Sequence, residues 1–154
     1  VLSTLHTNDA PSSVTRLLDL GVPPFLIQAT LVGILGQRLV RRICIYCKEP
    51  FEIEAAELSA MGIEVGKKGK VTLHRGEGCI KCRSTGYRGR NAIFEVLPYT
   101  ETLKKLTTVT TDVEQLRARA REEGMFTLRE SAIKKMLEGD TTYEEVLRVT
   151  WENI

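Results

Sequence analysis

The chain has 154 residues, 42% of them apolar and 27% charged, which suits one globular domain or two small modules with a buried core. Its 22 Lys and Arg against 20 Asp and Glu leave +2, too balanced to announce a nucleic-acid or membrane partner. This composition excludes a collagen, a disordered chain and a disulfide miniprotein. No apolar run reaches the ~18 residues of a membrane span. The first residues lack a basic start followed by an apolar stretch, so no leader peptide is expected.

The small total is a cancellation. Residues 1–47 sum to +2 (four basic, two acidic) and residues 48–65 to −4 (one basic, five acidic). Residues 66–90 sum to +7 (eight basic, one acidic) and residues 91–154 to −3 (nine basic, twelve acidic). Alternation over tens of residues points to modules, and no repeat at a period of 20 to 50 residues accompanies it.

Taken in chain order, Val1 to His6 reads as a short strand of β-branched and apolar residues. Thr7, Asn8 and Asp9 then offer capping oxygens to a helix with Ala10, Val14, Leu17 and Leu18 on one face, closed by Gly21. Pro23 and Pro24 suit the first turn of a second helix, expected from about Phe25 to Ile43 and buried along much of its length. Residues 44–95 are rich in Gly and Lys, with strands expected at Val71–His74 and Ala92–Val96 and a helical patch at Ala55–Met61. From Thr100 the chain is helical again. Thr111, Thr127 and Thr142 each stand three residues before a Glu, as in a capping box, while Gly124 and Gly139 close the first two of these helices. The last helix places Tyr143, Val146, Leu147, Thr150 and Trp151 at helical spacing, with Trp151 expected as a core anchor.

The strongest chemistry lies in the cysteines. Cys44-x2-Cys47 and Cys79-x2-Cys82 are two pairs with 31 residues between them. Two intervening residues let both sulfurs of a pair reach one ion at the ~2.3 Å bond length, and two such turns complete the four-sulfur tetrahedron of structural zinc. Gly76, Gly78, Gly86 and Gly89 flank the second pair and supply the positive φ that a tight knuckle needs. Lys81 and Arg83 would offset the −2 charge of a zinc tetrathiolate. Two disulfides would require an oxidising compartment. A redox pair needs one C-x-x-C at a helix start, and a catalytic zinc keeps one position open.

Weaker signals complete the reading. Lys67, Lys68, Lys70, Arg75, Arg83, Arg88 and Arg90 could contact phosphates, yet only Tyr87 interleaves with them, so a solvated face or a charged subunit contact is favoured. Gly62 to Lys67 superficially resembles a P-loop but has three residues between its glycines and Lys68 in place of Ser or Thr. His6 stands at the carboxyl end of the first expected strand, where open α/β sheets hold ligands, and Ser3, Thr4, Thr7 and Asn8 flank it. His74 is expected to be structural, the alternative being that it replaces or supports a zinc ligand.

Together these segments resemble the secretion ATPases of the type II secretion and type IV pilus assembly family. Ser3 to Ala10 looks like that family's histidine box. Gly36 to Arg41 is similar to its next hallmark, and Gly78 to Arg90 matches the second half of its tetracysteine module. Thr127–Glu130 and Glu144–Thr150 resemble its C-terminal helices. The resemblance implies an α/β fragment of a RecA-like P-loop ATPase core, plus a small zinc-binding tetracysteine module and a C-terminal helical subdomain. The corresponding division is 1–43, 44–95 and 96–154.

It further implies a homo-hexamer that uses ATP and Mg2+ to work an inner-membrane platform protein, cytoplasmic and peripheral at a bacterial inner membrane, with no nucleic acid. His6, with Thr4 helping to position it, inherits a place near the γ-phosphate, and Cys44, Cys47, Cys79 and Cys82 inherit one structural Zn2+. The family's P-loop, aspartate box and Walker B strand precede the histidine box and are absent here, so this chain alone is expected to be inactive. The missing nucleotide loop leaves the cofactor-binding residues unassigned. The alternative is a free-standing zinc-binding adaptor for protein or nucleic acid.

Overall fold

A computed structural model describes residues 1–150; Trp151, expected as a core anchor, lies outside the described residues. The chain is α/β and groups into two compact units, each built from two separate stretches. The first holds 1–37 and 94–128, the second 38–93 and 129–154.

In the first unit, residues 1–7 form no strand and are exposed except Thr7, against the expectation of a strand at Val1–His6. Their β propensity has no neighbouring strand to act on within the described chain, and strands are stabilised by pairing more than by composition. Helix α1 (Ala10–Asp19) starts at Asp9, whose carboxylate accepts from Ser12 N at 2.8 Å, and ends before Gly21 at φ 82°. Helix α2 (Pro24–Thr30) is much shorter than the expected 25–43. After it comes strand β1 (Gly33–Ile43), which alternates exposed and covered residues along most of its length. A helix through this stretch would carry Gly33 and Gly36 inside it, at about 1 kcal/mol each. As a strand it exposes Gln37, Arg41 and Arg42 and leaves Arg38 half-buried, donating from Nη1 to Val149 O at 2.7 Å.

Strand β4 (Tyr87–Pro98) pairs with β1. Helices α4 (Glu101–Val109) and α5 (Val113–Glu122) follow β4, and α1, α2, α4 and α5 pack on one another. Ala10, Val14, Ile27, Leu97, Tyr99, Leu103, Leu116, Ala120 and Met125 form their common core. Burial of Tyr99 is accompanied by a hydrogen bond from its hydroxyl to Thr107 Oγ1 at 2.7 Å, which removes the cost of an unpaired phenol. The expected box at Thr111 is replaced. Asp112 is the N-cap of α5, its carboxylate accepting from Glu114 N at 2.9 Å.

The second unit holds an antiparallel hairpin of β2 (Lys48–Glu54) and β3 (Lys70–Gly76), in register from Lys48 opposite Gly76 to Glu54 opposite Lys70. Helix α3 (Ala55–Ala60) lies in its connection. The segment that superficially resembled a P-loop closes this helix, with Gly62 N donating to Ser59 O and Ile63 N to Leu58 O. Helices α6 (Leu128–Leu137) and α7 (Tyr143–Thr150) begin directly after Thr127 and Thr142, as the sequence indicates. Thr142 Oγ1 accepts from Glu145 N at 3.4 Å, but Glu145 does not reach back to complete a box. Its carboxylate accepts from Arg41 N at 2.7 Å and from Arg148 Nε at 2.8 Å.

Candidate metal centre

The cysteine turns sit where strands end. β1 stops at Ile43, and Cys44 N donates to Gly86 O at 2.9 Å, which fastens the first turn to the loop of the second. Cys47 N closes the first turn onto Cys44 O at 3.2 Å. Past the end of β3, Glu77 N donates to Cys47 O at 3.1 Å. The second pair spans a single 3-10 turn at Ile80–Cys82, closed by Cys82 N to Cys79 O at 3.2 Å and Ser84 N to Cys79 O at 2.9 Å. Thr85 Oγ1 donates to Cys82 O at 2.7 Å.

Two glycines make this convergence possible. A Cβ on Gly76 would lie 2.1 Å from Gly86 O, and one on Gly86, at φ 75°, would lie 2.4 Å from Gly76 O. Backbone meets backbone here, and no side chain fits between. Arg83 and Ser84 both hold left-handed φ, at 53° and 59°, so the turn after Cys82 bends through two strained non-glycine residues.

All four sulfurs lie within 4.8 Å of one another. Cys44–Cys79 and Cys47–Cys82 are each 3.9 Å apart, and Cys79–Cys82 is 3.8 Å. Four ~2.3 Å bonds to a tetrahedral ion give sulfur–sulfur edges of about 3.8 Å, so the cage is compatible with zinc. None of the four is in a disulfide. Cys44 and Cys82 are buried, while Cys47 and Cys79 are half-buried. Burial alone would raise Cys82, but amide donors from Cys79 at 3.1 Å and Gly86 at 3.3 Å outweigh it and bring the thiol down to about 6. Burial pushes Cys47 up to about 12, with its neighbouring sulfurs adding to the rise. A dication bound among the four sulfurs would stabilise them all as thiolates.

His74 is not in the cage. It sits on β3 opposite Pro50, with a buried Nδ1 that has no hydrogen-bond partner among the described residues. Burial, then the Lys48 ammonium, lowers its pKa. The basic stretch is partly engaged with the module's own side chains: Arg75 lies over Phe51 at 5.6 Å and Arg88 over Tyr46 at 5.3 Å, while Lys70 pairs with Glu52 at 3.1 Å. Lys81 and Arg83 are exposed beside the second knuckle. In the first unit, Thr4 and His6 are exposed on the irregular segment 1–7, which ends against α1 through Thr7 Oγ1 and Ser13 Oγ at 2.6 Å.

Among the described residues three carboxylates are buried, and of these only Asp9, expected as a capping residue, had its role foreseen in the sequence. Glu145 is fully buried; burial opposes its ionisation, yet Arg148 and Arg41 hold its pKa at about 2. Asp9 caps α1 and pairs with Arg117. Glu95 lies inward on β4 between Ile93 and Leu97, and burial raises its pKa. The available signal was weak: in Ile93-Phe94-Glu95-Val96-Leu97, alternation makes either the acid or two large apolar residues face out, and Phe94 and Val96 do so.

The family model described as Type II/IV secretion system protein matches residues 1–148. The type IV pilus assembly ATPase PilB of Myxococcus xanthus is 47% identical over 148 residues, covering 96% of this chain and 26% of that protein. The type II secretion system protein E of Pseudomonas aeruginosa is 43% identical over 152 residues, 99% of this chain and 30% of that protein. The type IV pilus assembly ATPase PilB of Thermus thermophilus is 42% identical over 152 residues, 99% of this chain and 17% of that protein. This chain therefore spans less than a third of the length of each. With nearly every residue matched, and with the cysteine cage formed as the spacing required, the chain belongs to the type II/IV secretion system protein family.

Proposed function

We propose that the chain is the C-terminal part of a hexameric ATPase that hydrolyses ATP to drive type IV pilus assembly or type II protein secretion. The observation that carries this reading is the 47% identity over 148 residues to a type IV pilus assembly ATPase, matched at 43% by a type II secretion protein. In this reading residues 1–43 complete the edge of a RecA-like core, 44–95 form the zinc module, and 96–154 supply the helical tail. ATP and Mg2+ bind to parts of the longer protein outside this chain, which is inactive alone.

Cys44, Cys47, Cys79 and Cys82 hold one structural zinc, leaving no open position for chemistry at the metal. His6, supported by Thr4, faces the γ-phosphate, where an imidazole can donate a hydrogen bond to developing charge. The full ring works against an inner-membrane platform protein on the cytoplasmic side, and no described helix is long and apolar enough to cross a membrane. ATP turnover by the full-length protein, compared with this chain alone, tests the reading. Turnover confined to the long form is expected, and brisk hydrolysis by the 154 residues would overturn the assignment of ATP chemistry to parts outside this chain. Full-length protein without ATPase activity would sink the motor reading itself.

A further inference from the structure

Three stretches far apart in the chain meet at Glu95. Its Oε1 accepts from Ala10 N at 2.7 Å, and its Oε2 accepts from Leu128 N at 3.1 Å. The carboxylate is 3% exposed, and Ala10 is fully buried. On β1, Gly36 leaves the Ala10–Glu95 bond uncovered: a Cβ there would touch Glu95 Cβ at 3.6 Å and Ala10 N at 3.7 Å, so a methyl would fill the remaining space and anything larger would press on the bond. Beside it, Asp9 is 5% exposed, accepts from Ser12 N and pairs with Arg117 of α5.

This arrangement asks for an ionised acid. Two backbone N–H groups arrive from different directions, and only a carboxylate accepts both without presenting a donor of its own. Both amides belong to the first turns of ten-residue helices, whose partial positive ends favour the charge. Burying an acid whose ionisation the interior disfavours is costly, so the site trades stability for fixed geometry. The geometry it fixes is the point where residues 1–9 enter α1. From His6 to that anchored amide is four residues, with Thr7 and Asp9 held on the way.

We propose that Glu95 is a positioning residue: through Ala10 it fixes the end of the segment that carries Thr4 and His6, and so sets where His6 stands toward a nucleotide phosphate. The inference rests on the ATPase reading and on the assignment of His6 within it. Glu95 itself touches no substrate. It acts only by holding the backbone from which His6 projects.

The test is a double-mutant cycle in the full-length protein, with ATP turnover as the readout and Glu95→Met and His6→Ala as the two changes. Glu95→Met is expected to lower kcat by about tenfold or more with KM for ATP within about twofold, since misplacing a group by ~1 Å costs up to about a hundredfold. In the His6→Ala background the same change is expected to cost less than twofold. An equal loss in both backgrounds would show a role independent of His6 and overturn the proposal. So would unchanged kcat in a Glu95→Met protein whose Ala10 amide exchanges hydrogen at least about tenfold faster. If His6→Ala alone leaves kcat intact, the phosphate-facing assignment of His6 falls, and this is read separately from any effect of Glu95. Should Glu95→Met fail to fold, Glu95→Gln, which keeps one acceptor, runs through the same cycle with the same criteria.

Discussion

The two compact units solve the same problem, holding a candidate functional group in place, by opposite means. In the second unit the cysteine cage is local. Its sulfurs, amide donors and paired glycines all lie between Cys44 and Gly86, at the ends of four strands. In the first unit the segment bearing Thr4 and His6 has no ladder of its own and is held from a distance, by Glu95 on β4 and by Arg117 on α5. The difference teaches where structural information sits. A knuckle carries its own geometry in its spacing, whereas an exposed segment borrows geometry from residues about 85 to 110 positions away.

The largest expected effect separates the units outright. Elemental analysis of purified protein should find one zinc per chain, because four thiolates at tetrahedral spacing form a closed site. Chelation should melt the cysteine turns and the hairpin they join, since structural zinc supplies on the order of 10 kcal/mol to small modules. Hydrogen exchange in the α1, α2, α4 and α5 core should stay slow, because that core is apolar and holds no cysteine. A folded, metal-free protein with four titratable thiols would break the comparison at its root.

Within the cage, glycine substitutions divide steric from conformational cost. Gly86→Ala puts a methyl 2.4 Å from Gly76 O at a φ of 75° and should destabilise by about 3 kcal/mol or more. Gly89→Ala holds a similar φ, 82°, with nothing within 4 Å, and should cost about 1 kcal/mol. Denaturant midpoints of the two variants measure the gap. Equal costs would mean that the close approach of Gly76 and Gly86 is dispensable.

The buried acids give the next contrast. Arg148 and Arg41 hold Glu145 near 2, below the usual carboxylate range, so its contribution is fully present above the pKa of an unfolded glutamate. As pH falls from about 4.5 toward 2, that contribution is lost. Glu95 has the opposite sign. Its pKa is raised in the fold, so its ionisation penalises the folded state as pH rises above the ordinary glutamate range. Glu145→Gln should therefore cost about 2 kcal/mol at neutral pH, discounted because both arginines are half exposed, and should flatten the acid limb of the melting curve. An unchanged acid limb would remove Glu145 from the account.

Much of this was legible in the chain, and what was not has a physical pattern. The cysteine pairs, the flanking glycines, α3, β3, the centre of β4 and the stops at Gly124 and Gly139 follow from local spacing and backbone chemistry, whereas β2, with Pro50 and three glutamates, carries little strand signal. Residues 33–43 misled because Ile34, Leu35, Leu39, Val40 and Ile43 fit a helical face nearly as well as a pleat, and only Gly33 and Gly36 argued against the helix. Val1–His6 misled in the other direction, being strand-like in composition with no partner strand among the described residues. Glu95 and Glu145 were invisible because the partners that make a buried acid tolerable lie up to about a hundred residues away.

The smallest effect tests the finest of these distinctions, which threonine or aspartate starts α5. Thr111 and Glu114 have the spacing of a capping box, yet Asp112 accepts from Glu114 N at 2.9 Å and from Gln115 Nε2 at 3.1 Å. Thr110 Oγ1 in turn accepts from Asp112 N at 3.0 Å, which fixes the cap residue's own backbone. An aspartate in this place also sets a negative charge at the positive end of the helix, which a threonine cannot do. Asp112→Ala should cost about 1 kcal/mol, and Thr111→Ala, an exposed residue one position outside the helix start, less than about 0.3 kcal/mol. Both changes are read from thermal melting of the same protein. A larger loss from Thr111→Ala would return the cap to the residue that spacing favoured, and would show that local pattern outranks observed contacts even in the first unit.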